Sequence, residues 1–519
     1  MKPSKRVTKI ILLTISLLAG GCYGTYNTTR KSELDNSKGV GPIRALTLDS
    51  LLYTFDTFSQ TDTALFGKGT VKMQDTILPF EGSVRFDRIV FIERREISFW
   101  KGLWVIPAMF AMASRLPATL PRSSEFEIHR ITGSSCPYVY SYDGAQFRLE
   151  AEAFGTSVSK AFEAQTFSVL PTLTPVGGRA MVRISNERPE THLLNSVHLY
   201  AADAEERKQV VLDVNNVLWP LPALQPPSTA HEYAGKDIRT EIKEKDGVYW
   251  KSDLTHTTAS AGFRDNLELQ FELPARANEA TLVISAVNSD LINEVYRSMG
   301  SVLGDATLEF YHALENDVEL QRTIRDWVGE ASLRVDVGNG TEWRNIGAIS
   351  PEASVAPFSR AIRIRNIRSN GSPLSVRLSA LTDLWRIDAV SIDCSPVDPL
   401  PMHPLNLLAV NASDSADWKS AVTSSDSSYA LILPPNHLDL TFDTAPVRGM
   451  RCPVYVFAAQ GYLYEWFAAQ PSSFATTESL PVSGFDRVAL VKLLIQHRDV
   501  FLPPIYAAWK NERDMNNRR

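Results

Sequence analysis

Ser135-Cys-Pro-Tyr-Val-Tyr-Ser-Tyr-Asp-Gly-Ala-Gln-Phe-Arg-Leu-Glu150 decides how the chain is read. Asp-Gly accepts positive φ at both central positions of a type I′ turn, which makes it the strongest short-range hairpin signal. An aromatic residue three positions after the glycine can cover the first cross-strand pairs. The same device, [Asp/Asn]-Gly-x-x-aromatic, recurs in Asp246-Gly-Val-Tyr-Trp250 and Asn339-Gly-Thr-Glu-Trp343. Three hairpins are therefore expected, in a region from about 123 to 470 that is mainly β.

Downstream of the first hairpin, strands are expected at Leu193–Ala201, Leu267–Leu273, Ala280–Ala286, Ser332–Val337, Ser375–Leu378 and Leu384–Asp393, from their alternation or apolar runs. Between them, Leu291, Val295, Met299, Leu308, Tyr311, Leu314, Leu320, Ile324 and Trp327 fall at helical spacing, so two or three amphipathic helices are expected over 288–330. In the run Leu384–Asp393 neither face is cleanly polar, which predicts a largely buried strand. Residues 265–400 thus read as a jelly-roll-type sandwich with a helical insertion. The stretch 401–470 reads as a further β module and 471–519 as a helical tail. In that tail Val488, Leu490, Val491, Leu493, Leu494 and Ile495 precede His497, and Pro503-Pro504 is expected to break the helix.

Upstream, Arg44–Phe55, Gly67–Met73 and Ser83–Glu93 alternate with period two, with glycine or aspartate turns expected between them. Gly102–Ser114 is uncharged over 13 residues, short of the ~20 needed to span a bilayer. Residues 99–122 are read as an apolar helical segment. The N-terminus is different in kind. Lys2, Lys5, Arg6 and Lys9 precede an apolar run, Ile10–Leu18, and then Ala19-Gly-Gly-Cys22. These are the three regions of a secretory signal.

Composition bounds the function. The chain has 519 residues, 44% of them hydrophobic and 22% charged, enough for several domains with buried cores. Its net charge of −6 argues against a nucleic-acid binder, which needs a basic stripe. Of the four cysteines, Cys136, Cys394 and Cys452 lie outside the N-terminal signal. No Cys-x-x-Cys occurs, so zinc-knuckle and thioredoxin-type sites are unsupported. A Cys394–Cys452 bridge and free thiols both remain open.

Catalytic motifs are absent: there is no P-loop, no Gly-x-Ser-x-Gly elbow and no His-Glu-x-x-His helix. His192 and His198 would lie about 20 Å apart on a strand, too far to share a metal. Asp414, Asp417 and Asp426 lack EF-hand spacing and read as a surface loop. No metal, cofactor or catalytic residue is assigned, which points away from an enzyme.

Four resemblances add to this reading. Leu-Leu-Ala-Gly-Gly-Cys22 resembles the lipobox of bacterial lipoproteins, with Ala19 where leucine is usual. The resemblance implies cleavage before Cys22, diacylglycerol attachment to its sulfur, and a flexible tether over 22–43. With Tyr23 following the cysteine, it also implies an outer-membrane location. The runs over 44–98 resemble the SH3-like barrel found near the N-terminus of envelope lipoproteins. Cys136-Pro-Tyr-Val-Tyr…Asp143-Gly and Arg183-Ile-Ser-Asn-Glu-Arg-Pro-Glu-Thr191 resemble large uncharacterised envelope proteins, from which no activity carries over. Ile387-Asp-Ala-Val-Ser-Ile392 is similar to the closing strand of galactose-binding-like sandwiches. Cys452-Pro453 echoes Cys136-Pro137 and hints at an internal repeat.

The expected fold is mainly β: an SH3-like barrel, then jelly-roll or galactose-binding-like sandwiches with a helical insert, and a helical C-terminus. The expected function is a lipid-anchored envelope structural or interaction module, joined to the membrane through Cys22 and to an envelope protein or glycan partner. The alternative is carbohydrate binding, or hydrolysis, with Trp250, Trp343 and Trp385 as the ligand platform.

Overall fold

The computed structural model describes residues 24–28, 34, 42–74, 76–97, 137–204, 209–232, 235–254, 262–275, 277–338, 342–352, 355–367, 373–447, 449–466 and 486–516. The stretch read as a secretory signal, Cys22, the segment 99–122 and Cys136 lie outside them. Contacts divide the chain into two units. The described residues up to Ile97 form the first together with Leu303–His312, and the remaining described residues form the second.

In the first unit, β1 (Gly24–Thr28), β2 (Ile43–Thr47), β3 (Leu52–Gln60), β4 (Ala64–Met73), β5 (Thr76–Arg85) and β6 (Ile89–Ile97) form an antiparallel sheet in the order β1-β6-β2-β3-β4-β5. From β2 to β6, with a 3-10 turn at Phe86–Arg88 before the last strand, this is the strand order of an SH3-like barrel. Ile43, Phe55, Leu65, Val84 and Ile92 form its core. One detail departs from the sequence reading. Gly24–Thr28, inside the stretch expected to be a tether, pairs with β6, as its threonines and tyrosine favour. Gly67 and Gly69 sit inside β4, as the alternating run Gly67–Met73 predicts. A Cβ on Gly69 would lie 1.8 Å from the Thr54 carbonyl oxygen, so glycine lets β4 cross this close to β3.

The second unit begins with β7 (Tyr138–Tyr142), β8 (Phe147–Glu152), β9 (Ala164–Val169), β10 (Arg179–Ser185) and β11 (Glu190–Asp203). A small ribbon of β12 (Gln209–Leu212) and β13 (Leu218–Leu221) follows. Next come β14 (Thr229–Glu232), a short helix α1 (Arg239–Ile242), β15 (Arg264–Phe271) and β16 (Glu279–Asn288). The helices α2 (Leu291–Leu303), α3 (Thr307–Asn316) and α4 (Val318–Ala331) occupy the stretch where helical spacing placed them. Asp317 caps α4, its carboxylate accepting from the N–H groups of Glu319 and Leu320. Then come β17 (Leu333–Gly338), β18 (Trp343–Ile349), β19 (Phe358–Arg365), β20 (Leu374–Leu381) and β21 (Trp385–Asp393). The last strands are β22 (His403–Leu405), β23 (Leu407–Ala412), β24 (Ala430–Ile432), β25 (His437–Asp443) and β26 (Pro453–Glu465).

These strands build two sandwiches. One pairs the sheet β23-β25-β10-β7-β8 with the sheet β22-β11-β26-β9, and the other pairs β14-β15-β20-β17-β18 with β19-β16-β21. Residues of the 123–264 and 401–470 segments therefore share the first sandwich: β11 and β26 run antiparallel from Glu190↔Glu465 to Asp203↔Pro453. Val139, Val182, Leu199, Leu440 and Phe457 are among its core residues. The second sandwich lies between these halves in sequence.

The two sandwiches have the same strand neighbours. β23, β25, β10, β7 and β8 correspond to β14, β15, β20, β17 and β18, and β9, β26 and β11 to β19, β16 and β21. Each is made of a five-strand block and a three-strand block. In chain order the blocks run five, three, five, three, and each five-strand block pairs with the three-strand block of the other half. The correspondence reaches single residues. A bulge follows Val139 in the first hairpin and Val335 in the second. Four positions then separate the paired residues Tyr142 and Phe147, and four separate the paired residues Gly338 and Trp343. The repeated Cys-Pro does not share this order: Pro137 precedes β7, whereas Pro453 opens β26.

The tail forms α5 (Arg487–Gln496) and α6 (Arg498–Asn516). The break falls at His497, with φ −106° and ψ 73°, and Pro503-Pro504 lies inside α6. The two prolines forgo backbone bonds to Asp499 and Val500 but keep helical φ. Ile505, Tyr506 and Trp509 are buried, so packing outweighs the lost bonds. Trp509 Nε1 donates to Asp383 Oδ2 at 2.7 Å and Arg513 Nη1 does so at 2.9 Å, while Tyr506 donates to the Thr382 carbonyl.

Candidate functional site

Trp250, Trp343 and Trp385 do not form a platform. Trp250 is 3% exposed and Trp385 1%, and each indole N–H is spent inside the protein, on Glu232 Oε1 and the Ala331 carbonyl respectively. Trp343 is half-buried, with the Arg377 guanidinium 4.5 Å above its ring. Phe147, at the equivalent place in the first sandwich, carries Arg183 at 4.3 Å. Cation–π stacking thus covers both rings, and aspartates hold the cations: Asp439 binds Arg183 and Asp336 binds Arg377.

Asp246-Gly247 is not a hairpin turn. Asp388 Oδ1 accepts from both of their N–H groups at 3.1 Å, and Trp250 then bridges Ile387 of β21. A buried carboxylate collects the two donors that a hairpin ladder would have used.

His192 is fully buried, its Nε2 2.9 Å from Glu190 Oε2, and burial pushes its pKa down to about 3. Asp414, Asp417 and Asp426 accept from the N–H groups of Ala416, Lys419 and Ser428, as turn-forming acids do. Cys394 and Cys452 are both free thiols. Among the described residues no group of three or more histidines, cysteines or acids is placed to hold a metal. No helix among them is long and apolar enough to cross a membrane.

What the fold does bring together is a half-open cleft of about 390 Å³ where the two sandwiches meet. The first sandwich contributes Glu150 from β8, the end of β9 with the residues after it, and Pro453–Tyr455 of β26. The second contributes Lys245, Glu352 and the start of β19, Phe358 to Arg360; β12 adds Gln209 at the rim. The volume lies in the range of small-molecule sites, which favour such junctions.

Its polar groups differ in how they are satisfied. Arg360, only 8% exposed, holds Glu352 in a two-pronged pair: Nε to Oε1 at 2.5 Å and Nη2 to Oε2 at 2.6 Å. Nη2 also donates to the Phe167 carbonyl at 2.7 Å, joining β19 to the first sandwich. Burial pushes the Glu352 carboxyl up, and Arg360 pulls it back. Glu150 accepts through Oε1 alone, from Ser141 Oγ and the Thr172 N–H at 2.9 Å and from Thr172 Oγ1. Among the described residues Lys245 reaches only Ser359 Oγ, at 3.4 Å. Neither Glu150 nor Lys245 has an ion-pair partner among the described residues. Gln209 is exposed.

This site was not legible in the sequence. Its residues come from segments scattered between positions 150 and 455 and carry no motif. Only pairing across the exchanged blocks places them together.

No family model matches the chain, and no curated protein matches it. Among solved structures, a CBM4 protein aligns with 40% of this chain and 94% of its own, at 9% identity and a TM-score of 0.13. The triple jelly-roll protein of an archaeal virus aligns with 67% of this chain and 99% of its own, at 11% identity and a TM-score of 0.12. A Sulfolobus turreted icosahedral virus protein aligns with 64% and 98%, at 10% identity and a TM-score of 0.11.

Proposed function

We propose that this protein is a lipid-anchored bacterial envelope module that binds a small polar ligand in the cleft between its two sandwiches, without transforming it. The observation that carries the binding reading is the cleft itself. Its volume suits a ligand, and two of its charged side chains, Glu150 and Lys245, have no ion-pair partner among the described residues. Glu150 is half-buried, and such a charge is normally paired, while Lys245 is exposed and reaches the cleft from its solvent side, so a ligand would supply what the fold leaves open. The anchoring half rests on Lys2–Cys22, whose basic, apolar and small-residue regions end in a lipobox-like cysteine. A carbohydrate ligand remains within this reading, now through the cleft's hydrogen-bonding groups rather than through Trp250, Trp343 and Trp385.

Saturation-transfer NMR of the full chain against a mixture of amino acids, dipeptides and oligosaccharides tests it. Contacts to at least one class are expected, and they should vanish in Gln209→Trp, which fills the rim from an exposed position. Hits that persist in that variant would place binding elsewhere and overturn the cleft assignment. A screen with no hit in any class would overturn the binding reading.

A further inference from the structure

The cleft's open valences are directional, and they identify the kind of ligand. The inference rests on the cleft reading above. Glu150 belongs to the first sandwich. Its Oε1 takes all three recorded hydrogen bonds, every one from a neutral donor. Oε2 takes none among the described residues, so the wall presents a negative charge and an open acceptor. The second sandwich presents the opposite. Arg360 uses Nε and Nη2 for Glu352 and for the Phe167 carbonyl, which leaves Nη1 and its two N–H groups outside every one of these bonds. Beside it, the Lys245 ammonium spends a single long contact on Ser359.

The Glu352–Arg360 pair cancels internally, so the charges left over are one anion from one sandwich and one cation from the other. A neutral glycan would satisfy donors and acceptors but leave the half-buried Glu150 carboxylate without a cation and the exposed Lys245 ammonium without an anion. An anion would suit Lys245 and Arg360 and be repelled by Glu150, and a cation would meet the reverse problem. Only a ligand with both charges answers both walls at once.

We infer that the cleft takes a zwitterion of the amino-acid or short-peptide class, its ammonium received by Glu150 Oε2 and its carboxylate by Lys245 Nζ and Arg360 Nη1. Phe358 and Tyr455, which also line the cleft, supply apolar surface for the stretch between the two ends. Glu150 and Lys245 then act as specificity residues, each reading one terminus.

The test is a calorimetric titration of the full chain. The ligands are zwitterionic dipeptides with apolar, acidic and basic side chains, each also N-acetylated and C-amidated, with maltotriose as the neutral comparison. Free dipeptides should bind, and blocking either end should weaken binding at least tenfold. Glu150→Gln keeps an acceptor for Thr172, and in it acetylated and free forms should bind alike. In Lys245→Ala, amidation should cost less than in the wild type. Equal affinity for capped and free dipeptides would overturn the inference, as would the absence of saturable binding by every free dipeptide. If maltotriose binds instead and Gln209→Trp abolishes it, the zwitterion falls while the cleft stands as a site.

Discussion

Asn195 and Asp388 occupy the same β-bulge, one in each sandwich. The register of β11 against β26 shifts between Leu194 and Ser196, and that of β16 against β21 shifts where Asp388 is skipped, between the partners Ile387 and Ala389. Each side chain accepts from the backbone N–H of an aspartate: Asp426 for Asn195 at 3.0 Å, Asp246 for Asp388 at 3.1 Å. Each aspartate in turn caps the N–H two residues on. Four residues after each comes the residue that pairs with the strand just before the bulge, Ala430 with Leu194 and Trp250 with Ile387. Tyr429 and Tyr249 precede them. This local agreement, inside two sheets with the same strand neighbours, is what an internal repeat with exchanged three-strand blocks produces.

The bulge residue should therefore matter as an acceptor more than as a charge. Asp388→Ala leaves two N–H groups without their partner and should cost about 2–3 kcal/mol. Asp388→Asn restores the arrangement seen at Asn195 and should cost under about 1 kcal/mol. Urea unfolding of the two variants checks this, and equal losses would contradict it.

The C-terminal helix is held at one buried carboxylate. Asp383 is fully buried and receives Trp509 and Arg513. Arg513→Ala would strand that carboxylate with one neutral donor and should cost about 3 kcal/mol, as breaking a buried pair does. Trp509→Ala should cost about 3–5 kcal/mol through the cavity as well. Hydrogen exchange should show α6 losing protection first in both.

Asp265 makes stability depend on pH. Burial raises its carboxyl to about 6, against hydrogen bonds from Ser252 and Asp383 that lower it. A folded pKa above the unfolded one means that the protonated form is favoured by folding. Its contribution is thus fully present below about pH 4 and is lost as pH rises through about 6. The loss is up to about 3 kcal/mol, at 1.36 kcal/mol per pH unit. Asp265→Asn should remove this slope and be more stable than the wild type at pH 8. An unchanged slope in chemical denaturation at pH 4.5 and 8 would contradict the assignment.

Lipid attachment has a direct readout. Labelled palmitate should enter the wild-type chain in a Gram-negative host and be absent from Cys22→Ser. Equal labelling of the two would end that part of the proposal.

Much of the fold was legible in the sequence, because local signals and tertiary demands agree over most of the chain. Asp143-Gly144 turns a hairpin, and the apolar spacing from Leu291 to Trp327 becomes three helices. Misreadings arose where a distant residue intervened. Asp388, 142 positions from Asp246, takes the N–H groups of a dipeptide that would otherwise turn a hairpin. Pro503-Pro504 stays helical because Tyr506 and Trp509 find a buried seat on the Thr382–Asp383 turn. The cleft could not have been read locally, since Glu150, Lys245 and Arg360 share no periodicity and meet only through long-range pairing.

The central claim, a ligand site where the sandwiches join, is tested most directly by one titration. The best ligand from the NMR screen is measured by calorimetry against the wild type and Gln209→Trp at equal thermal stability. The account predicts saturable binding to the wild type and at least a tenfold loss in the variant. Unchanged affinity in Gln209→Trp would contradict it.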